Sequence, residues 1–363
     1  MIMNDLGKLE ETVISSLRAL YHKCGYSRFK MSKFEPYDLY MRNKEFLVSD
    51  GVITFTDTDG TLMALKPDVT LSIVKNFRGK NTSLQKVCYD ENVYRIGGAS
   101  RTYREIMQSG LECLGDIGLY EIGEVLCLAA QSLAAISDDF VLDITHMGIV
   151  FQILSQLQLD RAETAKILHL LSEKNSDALV ELLGAQRAEK LLSLMALSGP
   201  FAQVKDDLRS LTDDATYKRI CTVFQILDHA GFGENITLDL SIIADDNYYN
   251  DFVFRGYIEG IPSAVLAGGQ YDKLMEKMGK RAGGVGFAVY LDQLELLDTR
   301  VVAHDIDTLV LYDDTADVVS LSDAVAALSV PCVMTVRSIP TNIRYRKLMR
   351  YENGRLLTIE ENG

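Results

Sequence analysis

Residues 88–115 contain the side chains best suited to bind a small charged ligand. An amide and a carboxylate follow three arginines that surround a Gly97-Gly98 interruption, and the set is Arg95, Arg101, Arg104, Gln108 and Glu112. Guanidinium groups suit phosphates or carboxylates, whereas a glutamate suits an ammonium group. The residue types therefore indicate a site for an anionic ligand that also carries an amino group. The alternative is a solvated hairpin with surface arginines.

The same stretch has the pattern of a β-hairpin. β-Branched and aromatic residues precede Gly97-Gly98, and an apolar pattern resumes at Ile106 after the loop. Gln108 and Glu112 are four residues apart, and an even spacing along a strand places both side chains on one face. The elements that position the candidate residues are thus two strands and their loop.

This stretch resembles motif 2 of class II aminoacyl-tRNA synthetases, in the form found in histidyl-tRNA synthetase and its paralogues. Arg95 matches the arginine that binds the ATP phosphates, and Gln108-Ser109-Gly110-Leu111-Glu112 matches the family's QxGxE segment. Gly97 occupies the position of a glutamate that normally follows the arginine. The resemblance implies an amino-acid pocket, and the departure at Gly97 suggests that adenylation is lost.

Asp68 and Thr70 form a second candidate group within Lys66-Pro67-Asp68-Val69-Thr70. They lie where a predicted strand ends and a helix begins, so one interpretation is helix capping. The other interpretation is that the carboxylate and the hydroxyl hold a ligand ammonium. The family usually has Arg-Pro-Glu-Gly-Thr here, and the shorter aspartate resembles the form in a non-catalytic paralogue.

Two further segments resemble the histidine-specific motifs of the family. Tyr248 and Tyr249 match the tyrosines of the first motif, but Ala244 replaces its arginine and Asn247 replaces its aspartate. Because pre-organised positive charge stabilises a transition state by several kcal/mol, the alanine is a severe loss for catalysis.

The second histidine motif matches at Gly268-Gly269-Gln270-Tyr271-Asp272, where Gln270 replaces an arginine. Motif 3 matches at residues 283–294, and Gln293 falls at its ATP-binding arginine. Together with Gly97 and Ala244, these changes argue against ATP binding and adenylate formation. The predicted pocket is therefore a binding site without catalytic residues, and its members are Asp68, Thr70, Arg95, Arg104, Gln108, Glu112, Tyr248, Tyr249 and Tyr271.

Composition limits the other classes of function. The net charge of −14 over 363 residues argues against extensive contact with nucleic-acid phosphates, so no tRNA partner is predicted. The six cysteines and five histidines are dispersed without metal-ligand spacing, and neither a metal nor a cofactor is predicted. No apolar run approaches ~20 residues, so we expect no membrane contact and a reducing, cytoplasmic location.

The resemblance covers nearly the whole chain and implies its architecture. We expect an α+β fold, a class II synthetase-like antiparallel sheet flanked by helices, over residues 1–300. A leucine-rich helical insertion occupies about 150–233, and residues 301–363 form a small α/β unit like a shortened anticodon-binding domain. The first helix, Asp5–Cys24, and a strand predicted over Tyr26–Glu35 together match motif 1, which implies a homodimer.

Two other features have structural interpretations. His146, in a segment that resembles IGHVG of the family, has no evident partner base or nucleophile and is interpreted as structural. A basic cluster of Arg344, Arg346, Lys347 and Arg350 lies among many acids and is interpreted as a solvated helix face.

The resemblance favours one branch of the family, the regulatory subunits of ATP phosphoribosyltransferase. These are non-catalytic proteins that complete a short catalytic subunit in histidine biosynthesis and mediate feedback inhibition by histidine. The implied partners are that catalytic subunit, a second copy of the chain within a hetero-oligomer, and histidine as effector. The alternatives are a divergent histidyl-tRNA synthetase or ligase-like enzyme that forms an aminoacyl adenylate, and an amino-acid sensor with another partner.

Overall fold

This computed structural model describes residues 2–47, 51–79, 84–96, 102–244, 248–297, 304–330, 332–341 and 343–362, without the side chains of residues 2–8 and 45. The chain divides into two compact units. The larger unit is Gly7–Leu297, and the smaller is Asp298–Gly363 together with Met1–Leu6.

The helices follow from apolar residues at three- and four-residue steps, which the sequence repeats most regularly in the first helix and between residues 147 and 229. They are α1 (Ile2–Lys23), α2 (Tyr37–Arg42), α3 (Thr70–Asn76), α4 (Leu119–Ala134), α5 (Met147–Gln156), α6 (Arg161–Ser172), α7 (Ser176–Leu183), α8 (Ala185–Ala196), α9 (Phe201–Leu211), α10 (Asp214–His229), α11 (Asp272–Lys277) and α12 (Val318–Ala326), with 3-10 turns at Lys44–Phe46 and Leu291–Leu296.

The strands are β1 (Ser27–Arg28), β2 (Phe34–Pro36), β3 (Thr54–Thr56), β4 (Leu62–Leu65), β5 (Gln85–Ile96), β6 (Tyr103–Gly115), β7 (Phe140–His146), β8 (Ser198–Pro200), β9 (Ile236–Asp239), β10 (Phe252–Ile258), β11 (Leu266–Gln270), β12 (Gly283–Tyr290), β13 (Ile306–Leu311), β14 (Val333–Val336), β15 (Tyr345–Glu352) and β16 (Arg355–Glu361). The long strand predicted over 26–35 is instead two short pieces, β1 and β2, which belong to different sheets.

A nine-stranded sheet forms the centre of the larger unit, in the order β1-β5-β6-β12-β11-β10-β7-β9-β8. The six strands from β5 to β7 pair antiparallel, so the predicted α+β class with an antiparallel sheet and flanking helices is confirmed. Helix α4 packs on the strands β10, β11 and β12 on one side. A separate apolar cluster lies under α3 and α11, with Leu71, Val93 and Leu274 almost fully buried.

The smaller unit contains a four-stranded sheet in the order β14-β13-β15-β16, with α12 between β13 and β14. The predicted helix face for the basic cluster at 344–350 is wrong, because these residues lead into and occupy strand β15. The sequence feature that indicates a hairpin here is Asn353-Gly354. These two residues have positive φ angles of 50° and 79° and form the tight turn between the antiparallel strands β15 and β16. The Lys347 Nζ atom lies 3.8 Å from the Glu361 Oε2 atom across that hairpin.

Candidate functional site

The predicted hairpin is β5 and β6, an antiparallel pair in which Glu112 lies opposite Val87 and Gln108 opposite Glu91. The even spacing places Gln108 and Glu112 on the same face, as predicted. Gly97 and Arg101, which the sequence placed in the loop between the strands, lie outside the described residues.

A cavity of about 370 Å³ lies over this face of the sheet. The five sheet strands β5, β6, β12, β11 and β10 contribute lining residues, and so does the segment that leads into α3. Eight of the nine predicted site residues line the cavity, namely Asp68, Thr70, Arg95, Gln108, Glu112, Tyr248, Tyr249 and Tyr271.

Arg104 is the predicted site residue that does not line this cavity. It lies four residues before Gln108 on β6, which at about 3.4 Å per residue is roughly 14 Å along the strand. Its guanidinium is half exposed and approaches Asp292 at 3.8 Å. Its side chain turns toward Asp292, whereas Arg95, directly opposite on β5, lines the cavity.

Glu112 is the most deeply embedded acid of the cavity. Its side chain is only 2% exposed, and both carboxylate oxygens accept hydrogen bonds. The Thr70 hydroxyl donates to Oε1 at 2.7 Å, and the Tyr271 hydroxyl donates to Oε2. Burial raises the pKa of Glu112 to about 8, against the two hydroxyl donors, which lower it. A bound ammonium would favour the ionised form.

Asp68 has the geometry for both of the roles that the sequence left open. Its Oδ1 accepts a hydrogen bond from the Leu71 amide at 2.9 Å, which caps the first turn of α3, and the same side chain lines the cavity. Burial raises the pKa of Asp68, while the nearby Arg95 acts in the opposite direction. The Arg95 Nε donates to the Pro67 carbonyl at 2.9 Å, which anchors that guanidinium beside the acid.

Gln108 presents a buried donor without a partner. The residue is 2% exposed and lines the cavity, and its Nε2 has no hydrogen-bond partner among the described residues. A buried polar atom in this state is costly, since it loses its water contacts without replacement. A ligand oxygen would satisfy it.

The substituted family arginines lie in different surroundings. Ala244 lines the cavity and is half-buried. Gln270 is buried but does not line the cavity, because its Nε2 donates to Asp272 at 2.7 Å. The side-chain carbonyl of Gln293 accepts from Ser263, also away from the cavity. Asn247 lies outside the described residues.

Sequence reasoning missed several residues of the lining. Tyr89 and Tyr290 add aromatic surface, Phe46 closes one side, and Arg255 on β10 adds a second cation. Arg255 belongs to no motif that the family resemblance singled out. The available signal was strand alternation, which places it on the same face as Val253.

His146 lies outside the cavity lining and is 3% exposed. Its Nε2 is 3.2 Å from Asp251, an acid that also pairs with Arg219 at 2.9 Å. Burial lowers the pKa of His146, although Asp251 acts to raise it. The sequence analysis did not identify Asp251 as the partner of His146. The buried place of His146 outside the cavity lining supports its interpretation as a structural residue.

The buried Glu112 leads to a prediction about stability and pH. Its pKa is about 4.5 in the unfolded chain and about 8 when folded, so between these values the folded state binds more protons. Its contribution to stability is then complete below pH 4.5 and falls by about 1.4 kcal/mol per pH unit as the pH rises toward 8. We expect the stability of the unaltered protein relative to Glu112→Gln to fall with that slope in urea unfolding between pH 5 and 8. A pH-independent difference would contradict it.

Two broader observations concern the described part of the chain. No helix there is long and apolar enough to cross a membrane. No group of three or more histidine, cysteine, aspartate or glutamate side chains among the described residues is arranged to hold a metal ion.

The chain is similar in sequence and in fold to several known proteins. A curated ATP phosphoribosyltransferase regulatory subunit from Clostridium acetobutylicum is 27% identical over 95% of this chain and 89% of its own length. The structure of an ATP phosphoribosyltransferase regulatory subunit/histidyl-tRNA synthetase from Bacillus halodurans shares the fold, with a TM-score of 0.77, 20% identity and 94% of each chain covered.

An ATP phosphoribosyl transferase (HisG:HisZ) complex from Thermotoga maritima also contains a chain with this fold. Its TM-score is 0.62 at 20% identity, over 78% of this chain and 97% of that one. The family model for histidyl-tRNA synthetase matches residues 5–294, which is most of the chain. The class II synthetase-like fold predicted from the motifs is thus confirmed, and the chain belongs to the histidyl-tRNA synthetase family.

Proposed function

We propose that this chain is the non-catalytic regulatory subunit of an ATP phosphoribosyltransferase and acts in the cytoplasm in histidine biosynthesis. One observation carries the proposal: a protein of that name matches 95% of the chain. The predicted absence of adenylation chemistry fits this role, since a regulatory subunit needs a ligand pocket and a partner surface but no reacting groups.

The lining of the cavity supports the absence of adenylation. Adenylate formation transfers negative charge onto phosphate oxygens, and cations aimed at that charge are usually the largest catalytic contribution. Ala244 supplies none where the family has an arginine, and the glutamines at 270 and 293 point to other partners. Of the four family arginine positions, 95, 244, 270 and 293, only position 95 retains an arginine.

The acids of the cavity support histidine as the effector. Asp68 and Glu112 are buried side by side with no lysine among the lining residues, so an ammonium group would relieve their shared desolvation. The tyrosines at 248 and 249 and the amide of Gln108 would then contact the imidazole. Histidine regulates the enzyme if it binds one state of the assembly better than another.

The proposed partner is the short catalytic subunit, by analogy with the Thermotoga maritima complex of two different chains. A homodimer through the α1 region would form part of that assembly. When the chain is mixed with a short catalytic subunit, we expect both to co-elute from a size-exclusion column earlier than either alone. Separate elution at micromolar concentrations would contradict the proposed partnership.

A divergent histidyl-tRNA synthetase is the second candidate, favoured by the retention of Arg95 in the cavity. We expect no histidine-dependent exchange of pyrophosphate into ATP, either in the unaltered chain or after Ala244→Arg, because one restored cation does not rebuild the ATP site. A genuine histidyl-tRNA synthetase is the positive control. Exchange by the unaltered chain would establish the enzyme, and exchange only after Ala244→Arg would mean that the site lacks a single group.

A further inference from the structure

Arg255 differs from every other charged residue in the lining of the cavity. It is half-buried on β10, and among the described residues its guanidinium makes no hydrogen bond and no ion pair. Arg95, by contrast, donates to the Pro67 carbonyl and lies close enough to Asp68 to oppose the rise in pKa that burial causes in that acid. A guanidinium that reaches a cavity without a partner is costly to keep there, so it is placed for an anion.

The sheet register separates Arg255 from the buried acids. Glu112 is on β6, and β12 and β11 lie between β6 and β10. Three strand spacings of about 4.8 Å place the backbone of Arg255 roughly 14 Å across the floor from that of Glu112. The acid and the cation therefore stand at opposite sides of the cavity, and a ligand between them can meet both.

The row of residues between the two sides is small. Arg255 lies opposite Ala267, Ala267 opposite Ala288, and Ala288 opposite Gly110. At Gly110 a Cβ atom would come within 2.3 Å of the Phe287 carbonyl oxygen, so no larger residue fits the present backbone. This low floor keeps the space above it open from Arg255 to the hairpin.

Three side chains near Arg255 are potential partners for its guanidinium. Asp143 lies directly opposite on β7. Burial raises the pKa of Asp143 and the charge of Arg255 acts against that rise, but the carboxylate accepts a hydrogen bond from Thr237 and forms no ion pair with Arg255. Tyr249 and Tyr290 also line the cavity, and the charge of Arg255 acts to lower the pKa of each. The positive charge of Arg255 therefore acts on other side chains that line the cavity.

We propose that Arg255 binds the carboxylate of an α-amino acid in this cavity. It supplies, from a different strand, the cation missing where Ala244 replaces the family's arginine, since both residues line the same space. Gln108, with its unpartnered amide, is available to a second ligand oxygen. The proposal deepens the effector role and rests on the cavity being an amino-acid site.

The test is calorimetric titration of the full chain with L-histidine and with histamine, which keeps the ammonium and the imidazole but has no carboxylate. Arg255→Gln should weaken histidine binding about 10- to 100-fold and change histamine binding less than about 3-fold, because only histidine has the group that Arg255 holds. Arg255→Lys, which keeps the charge, should recover part of the loss. Arg104→Gln is the matched control, as Arg104 lies outside the cavity lining.

The outcomes separate this inference from the effector role. If Arg255→Gln leaves histidine binding unchanged, or weakens histidine and histamine equally, the assignment of Arg255 is wrong while histidine can still be the effector. If the chain does not bind histidine but binds another amino acid, and Arg255→Gln weakens that binding, then Arg255 is the carboxylate-binding residue and histidine is not the effector. If it binds none of the twenty amino acids, both fail.

Discussion

Replacing Glu112 with glutamine should reduce the affinity for L-histidine at least about 100-fold at pH 8, without lowering the melting temperature at that pH. The ionised carboxylate would pair with the ligand ammonium in a water-poor cavity, and removing one partner of such a buried pair costs about 3–5 kcal/mol. Glutamine keeps the size and one acceptor for the hydroxyls of Thr70 and Tyr271. Titration calorimetry measures the affinity directly.

Glu105→Gln is the control for Glu112→Gln. Glu105 is on the same strand, but it is exposed and outside the cavity lining, where it accepts from Asn92 and Tyr94. The Glu105→Gln protein should bind histidine with the same affinity as the unaltered protein. Equal affinity of Glu112→Gln and the unaltered protein would remove Glu112 from the ammonium site.

The second large effect is expected at Gly286, on β12 opposite Glu112. A Cβ atom there would come within 2.4 Å of the Leu111 carbonyl oxygen and would overlap the Glu112 carboxylate. Because the clash includes backbone of the adjacent central strand, neither side can move freely. We expect Gly286→Ala to lower the free energy of unfolding by about 3 kcal/mol and to abolish histidine binding.

Gly118→Ala provides the comparison for Gly286→Ala. A Cβ atom at Gly118 meets only the end of the Glu121 side chain, at 3.1 Å, and that flexible side chain can shift at the cost of the hydrogen bond that it accepts from the Gly118 amide. Because Gly118 is also the N-cap of α4, the unfolding free energy of Gly118→Ala should fall by no more than about 1 kcal/mol in urea titrations. A similarly small change at Gly286 would show that the sheet has room there, and the close packing beneath Glu112 would be wrong.

Eight of the nine site residues predicted from the sequence line the cavity, because they lie in motifs with fixed spacing. Gln108 and Glu112 needed only strand alternation, and Asp68 and Thr70 needed only a strand that leads into a helix. Arg104 shows the limit of that reasoning: it shares the hairpin and the face with Gln108, but its side chain approaches Asp292 instead of lining the cavity. The direction of a long side chain depends on contacts with distant segments, which the local pattern does not encode.

Other features depended on contacts between distant segments. Arg255 lines the cavity on the side away from Glu112 because β10 is the third strand from β6 in the sheet. Local sequence patterns do not encode this strand order. Gln270 follows its motif, yet its side chain turns to Asp272 rather than into the cavity. At 344–350 the charges suggested a helix, whereas the Asn353-Gly354 turn, which was readable in the sequence, decides for a hairpin.

The most direct test of the regulatory role is the rate of phosphoribosyl transfer to ATP by a short catalytic subunit. We expect that subunit to be nearly inactive alone, to become active when this chain is added in equal amount, and to be inhibited again by L-histidine. Glu112→Gln should activate equally but remain insensitive to histidine. A catalytic subunit that works equally well with and without this chain would contradict the account.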